Sequence, residues 1–256
     1  MAAKSKTERS IVLSPDEIAW VRSMVIDEDS HILALNKPAG LSSQGGRGQA
    51  HTLDELLWAF AKPGKARPRL IHRLDRDTSG VILTARTKPD AAFLGNAMMA
   101  RRVHKTYLAI VAGHGLGERG PDEGVIATPL RRDEQGREAF MRVCPPDHPD
   151  AESAKTVYRT LARTDAAALL ELEPHTGRMH QLRVHLASIG RPIAGDPRYG
   201  GALMMNGEAV PRLMLHAAAL DFPHPAGGTK RLEAPLPEDF SALRAKLDLA
   251  RTPQEA

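Results

Sequence analysis

Between Leu70 and Gly80 the chain carries His72, Arg73, Asp75, Arg76, Asp77, Thr78 and Ser79, two carboxylates and two guanidiniums within eleven residues. Asp75 lies two residues after Arg73 and one before Arg76, and cationic neighbours favour the ionised form of a carboxyl group. An ionised carboxylate in a dry cleft acts as a nucleophile or a base. The alternative is a structural aspartate capping the turn at Thr78–Gly80, a role that suits Asp77. A second run, Pro174–Leu186, holds His175, Arg178, His180, Arg183 and His185. Its histidines recur at steps of five. On a helix that step turns the side chain by about 140°, and on a strand it reverses the face, so this run does not gather them around a metal. Arg178 and Arg183 suit carboxylate or phosphate oxygens; exposed arginines on an amphipathic helix are the other reading. A third run, Lys105–Val111, has a strand pattern and carries Tyr107, one of three tyrosines in the chain. Turned into a cleft, a tyrosine stacks on a base or moves a proton; turned inward, it is core. Gly45–Gly48 lacks the spacing and the downstream Lys-Ser/Thr of a phosphate-binding loop and reads as a flexible loop over a ligand.

These runs need elements to hold them. Residues 1–10 are polar and read as frayed. Ser14, Pro15 and Glu17 form a helix start, extending to about Met24. His31–Asn36 reads as a strand that enters a turn at Lys37–Gly40. Thr52 and Glu55 make a second capping box, opening a helix to about Phe60. Lys62–Arg69 is a basic Pro/Gly loop, Val81–Thr84 a strand, Pro89–Arg101 a helix and Lys105–Val111 a strand. Gly113–Asp150 has the composition of an inserted hairpin or flap. Ala154–Leu161 and Ala167–Glu173 pair around a turn at Arg163–Asp165. Thr176–Ile189 is helix-compatible and closed by Gly190 and Pro192. Leu213–Phe222 reads as a strand and Asp239–Leu249 as a closing helix. Strands and helices mix without regular alternation, which favours an α+β fold with a largely antiparallel sheet.

Composition sets the outer bounds. The 256 residues suffice for one large or two small domains, and a chain of that length buries a core without staples. With 42% hydrophobic and 26% charged residues, collagen-like, disordered and membrane classes are excluded. Cys144 is the single cysteine, so no intramolecular disulfide and no cysteine zinc cage forms, and a reducing compartment is expected. No secretory core or long apolar window occurs, so the cytoplasm is the expected location. Lys and Arg exceed Asp and Glu by 35 to 31. The basic residues crowd Lys62–Arg76, Arg101–Lys105, Arg131–Arg142 and Arg178–Arg198. One face for a polyanion would explain the pattern, as would a solvated surface.

Taken in order, the runs resemble the RluA-type family of RNA pseudouridine synthases. The likeness extends from about Val25 to Phe222 and rests on Asn36–Gly40, His72–Gly80, Lys105–Tyr107, Thr176–His185, Gly195–Gly200 and Leu215–Ala217. Met179 and Leu41–Gln44 depart from the usual pattern, the latter in a substrate-facing loop. The resemblance implies a mixed, mostly antiparallel sheet in two halves flanked by helices, with the catalytic cleft between them. It makes Asp75 the catalytic aspartate, Tyr107 the tyrosine packed on the uracil, and Arg183 the cation paired with the carboxylate. Arg73 fills the gap left by a flipped nucleotide, and Leu74, Thr78, Lys105, Arg178, His180 and Leu215 join it at the substrate. No step calls for a metal, redox partner or nucleotide cofactor.

The implied partner is RNA, either tRNA or large-subunit rRNA, and the implied state a monomer. Residues 1–24 are expected to be an extension with a short helix and 25–256 one catalytic domain. The 36 residues before Lys37 are too few for a separate RNA-binding domain. RNA contacts are then expected from Lys62–Arg69 (Lys65, Arg67 and Arg69 among them), Arg101–Lys105 and Arg131–Arg142. Two other classes compete: an RNA-binding factor without catalysis, and a glycosidase using Asp75 with Asp77. A turn residue such as Asp77 is poorly placed for the second.

Overall fold

The computed structural model describes residues 11–45, 51–63, 66–112, 122–135 and 138–250. Residues 1–10, Gly46–Gly48, Lys65 and the first part of the Gly113–Asp150 insertion, on all of which expectations were placed, lie outside them.

The fold is α+β. Strands β1 (Val25–Glu28), β2 (Ile32–Lys37), β3 (Arg69–Leu70) and β4 (Ser79–Ala85) come first, followed by β5 (His104–Ala112) and β6 (Glu123–Ile126). A hairpin of β7 (Leu130–Gln135) and β8 (Glu138–Val143) stands apart as a two-stranded sheet. Then come β9 (Thr156–Arg163), β10 (Ala167–Pro174), the small pair β11 (Met204–Met205) and β12 (Glu208–Ala209), β13 (Leu215–Pro223) and β14 (Thr229–Glu233). Among the described residues the main sheet has ten strands in the order β1-β2-β4-β13-β5-β10-β9-β6, with β3 against β4 and β14 against β13. Every pairing in it is antiparallel except β4 with β13.

That one parallel pairing is short, Ser79 opposite His216 and Gly80 opposite Ala217, and local chemistry dictates it. Ser79 Oγ donates to His216 Nδ1 at 2.9 Å, and His216 Nε2 donates to the Ala234 carbonyl at 3.3 Å. Gly80 adopts φ +118°, and a Cβ there would lie 2.2 Å from the Ala217 oxygen. The strands therefore meet only where the side chain is missing. Both faces of β4 are covered and all seven of its residues are buried, which is why Val81–Thr84 reads as a continuous apolar run.

Among the described residues, five α-helices flank the sheet. α1 (Pro15–Ser23) and α2 (Leu53–Leu56) both start on reciprocal capping boxes, Ser14 with Glu17 and Thr52 with Glu55. A 3₁₀ turn, Leu57–Phe60, completes the second. α3 (Lys88–Met99) is capped by Thr87, and α5 (Glu238–Lys246) closes the described chain. The helix expected over Thr176–Ile189 is shorter, with α4 spanning only Gln181–Ser188. His180 takes the left-handed conformation at φ 54°. The Gln181 side-chain oxygen accepts Thr176 Oγ1 at 2.7 Å and the Arg178 N–H at 3.1 Å. Those bonds hold Thr176–His180 as a loop, so Arg178 and Arg183 do not share a helix face.

Candidate active site

The loop from Ile71 to Thr78 leads into β4, and Thr78 N–H donates to the Asp75 carbonyl at 3.2 Å. This turn lifts Asp75 out of the sheet, leaving its side chain about one-third exposed (32%). Two buried donors hold the loop from behind. Ser43 Oγ donates to the Leu74 carbonyl at 2.7 Å and accepts its N–H at 3.1 Å. Lys37, fully buried at the end of β2, donates to the Arg76 carbonyl at 3.0 Å. The expected capping role of Asp77 is not seen: its carboxylate faces the Arg76 guanidinium at 3.2 Å.

Asp75, Tyr107, Arg183, Arg73, Leu74, Thr78, Lys105, Arg178, His180 and Leu215 line one cavity of about 450 Å³. Lys105 and Tyr107 are two apart on β5 and so point to the same side. Tyr107 is buried, and burial together with the Asp75 charge raises its phenol well above the usual range, keeping it protonated. Burial lowers the Lys105 ammonium. His72 takes the Leu83 N–H on Nε2 at 3.0 Å. Burial and the neighbouring Lys105 push its imidazole down to about 3, so it is neutral.

Above Asp75 lies the start of α4. Arg183 Nη1 is 3.7 Å from Asp75 Oδ2, and His180 Nε2 is 3.9 Å from the same oxygen. Arg183, expected as the cation paired with this carboxylate, meets it in that ion pair, while its closest bonds go elsewhere. Nε and Nη2 each donate to Asp196 at 2.7 Å. Asp196 belongs to the Gly195–Gly200 run quoted for the resemblance, yet it carried no expected role, because an aspartate between glycine and proline reads as an ordinary turn residue. Tyr199, from the same run, lays its ring over the Arg183 guanidinium at 5.1 Å. Its hydroxyl bonds His180 Nδ1 at 2.9 Å and accepts the Met141 N–H of β8 at 3.1 Å. The hairpin is thereby tied to the site.

Several expected RNA-contacting arginines are engaged within the protein. Arg67 grips Asp54 at 2.5 and 2.8 Å. Arg178 reaches Glu152 at 2.6 Å and the Ser153 carbonyl at 3.1 Å. In the hairpin, Arg131 and Arg142 both face Asp133, and Arg132 faces Glu134. Arg73, by contrast, is exposed at the cavity mouth. The three histidines of the second run part company: His180 lines the cavity, while His185 is fully buried between Thr156 Oγ1 and the Thr128 carbonyl.

The family model described as RNA pseudouridylate synthase matches residues 31–188, the stretch that supplies Asp75, Tyr107 and Arg183. The chain belongs to the RNA pseudouridylate synthase family. It is thus an isomerase that converts uridine to pseudouridine in RNA. Among its relatives is the ribosomal large subunit pseudouridine synthase C of Escherichia coli (strain K12), 36% identical over 252 residues, 96% of this chain and 76% of that protein. The ribosomal large subunit pseudouridine synthase D of Xanthomonas campestris pv. campestris is 39% identical over 249 residues, 91% of this chain and 72% of that protein. Among solved structures, human RNA pseudouridylate synthase domain containing 4 superposes with a TM-score of 0.74 at 26% identity, covering 92% of this chain and 98% of that one. The synthase fold accounts for the mixed sheet and its flanking helices.

Proposed function

We propose that this synthase acts on uridine in large-subunit ribosomal RNA, with Asp75 as the reacting carboxylate. The observation that carries the assignment of Asp75 is its surroundings: an accessible carboxylate in a cavity shared with a protonated phenol and a buried guanidinium. The names of the two bacterial relatives support the RNA class.

Isomerisation detaches uracil from ribose, turns it and rejoins it through carbon. The bond concerned is hidden in a stacked nucleotide, so the base is first extruded, which costs a few kcal/mol. Arg73 fills the vacated stack with its guanidinium plane. Leu74 and Leu215 give the everted base an apolar wall, with Tyr107 against its face. Asp75 then attacks the nucleoside or withdraws a ribose proton; both routes use the same carboxylate and the same exclusion of water from a detached base. Tyr107, packed against the uracil, assists the movement of the proton. Thr78, Lys105, Arg178 and His180 complete the wall around the sugar and phosphate.

The same reading takes residues 25–256 as one catalytic unit, monomeric and cytoplasmic. Its lone cysteine, Cys144, is buried, and among the described residues no helix is long and apolar enough to cross a membrane.

Mapping pseudouridines across total RNA from cells with and without this protein tests the proposal. Expected is the loss of one or more sites in large-subunit rRNA, restored by the wild type and not by Asp75→Ala. Loss confined to tRNA would overturn the RNA class. Restoration by Asp75→Ala would overturn the role of Asp75.

A further inference from the structure

Asp196 is fully buried and forms no part of the wall of the cavity that holds Asp75. It is nevertheless the strongest partner of the nearest cation to that carboxylate. Its oxygens accept Arg183 Nε and Nη2 at 2.7 Å each, and Oδ1 also accepts the N–H groups of Arg198 at 3.0 Å and Tyr199 at 3.3 Å. The loop that carries it closes on itself at both ends. A Cβ on Gly195, at φ +74°, would lie 1.8 Å from the Arg212 carbonyl, and one on Gly201 would lie 1.9 Å from the Ile193 carbonyl. Asp196 is therefore held by a loop with no room to relax, and it fixes Arg183 in turn.

One guanidinium thus stands between two unequal carboxylates. Its side-on edge is saturated by Asp196, which leaves Nη1 toward Asp75 at 3.7 Å, longer than a charge-assisted hydrogen bond. The Tyr199 ring covers the guanidinium. We propose that Asp196 is a positioning residue for the isomerisation. It holds Arg183 by Nε and Nη2, so that the guanidinium steadies Asp75 through Nη1 alone, as a loose ion pair at 3.7 Å. It also compensates the charge of Arg183, which leaves the Asp75 carboxylate reactive rather than quenched. The proposal rests on Asp75 being the reacting group.

The groups that face Asp75 are Arg183 and His180 from the start of α4, Tyr107 from β5, Lys37 from β2, and Arg73, Arg76 and Asp77 on its own loop. Those that face Arg183 are Asp196, Asp75, His180 and Tyr199. Asp196→Asn changes only one charge in this set. Arg183 is then uncompensated and free to close on Asp75, which favours the ionised carboxylate and weakens it as a base or nucleophile.

The test is the single-turnover rate on an rRNA fragment across pH, with RNA affinity and thermal unfolding measured on the same variant. Expected for Asp196→Asn is a rate at least tenfold lower near neutral pH, RNA affinity within about threefold of wild type, and an acid limb displaced to lower pH. An unaltered rate, or a lower rate with the acid limb unmoved, overturns the proposal, since a merely structural role would leave the limb in place. Should Asp196→Asn fail to fold, Asp196→Glu carries the test: the charge is kept, so the acid limb stays at its wild-type position even where the rate falls, and a displaced limb overturns the proposal. Activity in Asp75→Ala would bring down the assignment of Asp75 itself, a result separate from either outcome at Asp196.

Discussion

Lys37 Nζ donates to the carbonyl oxygen of Arg76 at 3.0 Å, one residue beyond Asp75. Two further carbonyls, Pro38 and Leu41, take the same ammonium at 2.9 and 2.8 Å, and Gly40 N–H shares the Arg76 oxygen at 2.9 Å. Burial brings the ammonium down to about 7 against the opposing fields of Asp77 and Asp75. Lys37→Met leaves buried carbonyls without a donor and is expected to destabilise the protein by about 1–3 kcal/mol. Since the Arg76 carbonyl belongs to the loop that presents Asp75, the single-turnover rate should fall more than RNA affinity. Thermal unfolding and a binding titration check both parts.

Two glycines give opposite expectations for the same substitution. Gly80→Ala drives a Cβ to 2.2 Å from the Ala217 oxygen at a φ of +118°, so it should abolish soluble, folded protein. Gly95 lies inside α3 with nothing within 4 Å of its missing Cβ. Gly95→Ala should stabilise by about 1 kcal/mol through helix propensity. Denaturant unfolding of the two variants beside the wild type decides the matter.

Acid should unfold the protein partly through histidines. Burial pushes His72 down to about 3 and His216 down to about 4, against about 6.5 in an unfolded chain. Between those values the unfolded state binds protons that the native state refuses, so stability is full above pH 6.5 and falls as the pH drops toward 4. Each group contributes at most about 1.4 kcal/mol per pH unit. His216→Asn should flatten the fall between pH 6 and 4. A slope equal to that of wild type would contradict this.

Arginines engaged in ion pairs and exposed ones should separate in a salt titration of RNA binding. Arg101 is exposed on a depression adjoining the cavity through Lys105 and Arg178. Arg101→Gln should reduce the slope of log affinity against log salt by about 0.7–0.9, one phosphate contact. Arg67→Gln breaks a half-buried pair with Asp54, so it should lower the unfolding temperature and leave the slope unchanged.

Much of this was legible in the residues themselves. The capping boxes at Ser14 and Thr52 begin helices because side chain and backbone satisfy each other within four residues, a local event that spacing alone reveals. The ten expected site residues, nine from three separate runs and Leu215 from a fourth, line one cavity, and it was their common resemblance, not any one run, that joined them. What stayed hidden depends on long-range contacts. β1 and β14 are short edge strands, named only by their neighbours β2 and β13. The loop at Thr176–His180 looks helical until Gln181 is seen to hold it. Arg183 reads as the cation beside Asp75 and stands 3.7 Å from it, but the second carboxylate that holds it, thirteen residues downstream, is not visible from spacing. Likewise the basic clusters at Arg67 and Arg131–Arg142 looked open to phosphate until their acidic neighbours were placed.

The seam where β13 joins β4 to β5 has a consequence during synthesis. Asp75 leaves the ribosome some 140 residues before the strand that bridges β4 and β5 beneath it, and contacts of such separation form late. Until Leu215–Pro223 emerges, the nascent chain can neither close the cleft nor complete the surface that receives RNA. A translation product cut short before that strand would be inert, instead of an abortive enzyme that occupies its target uridine without converting it.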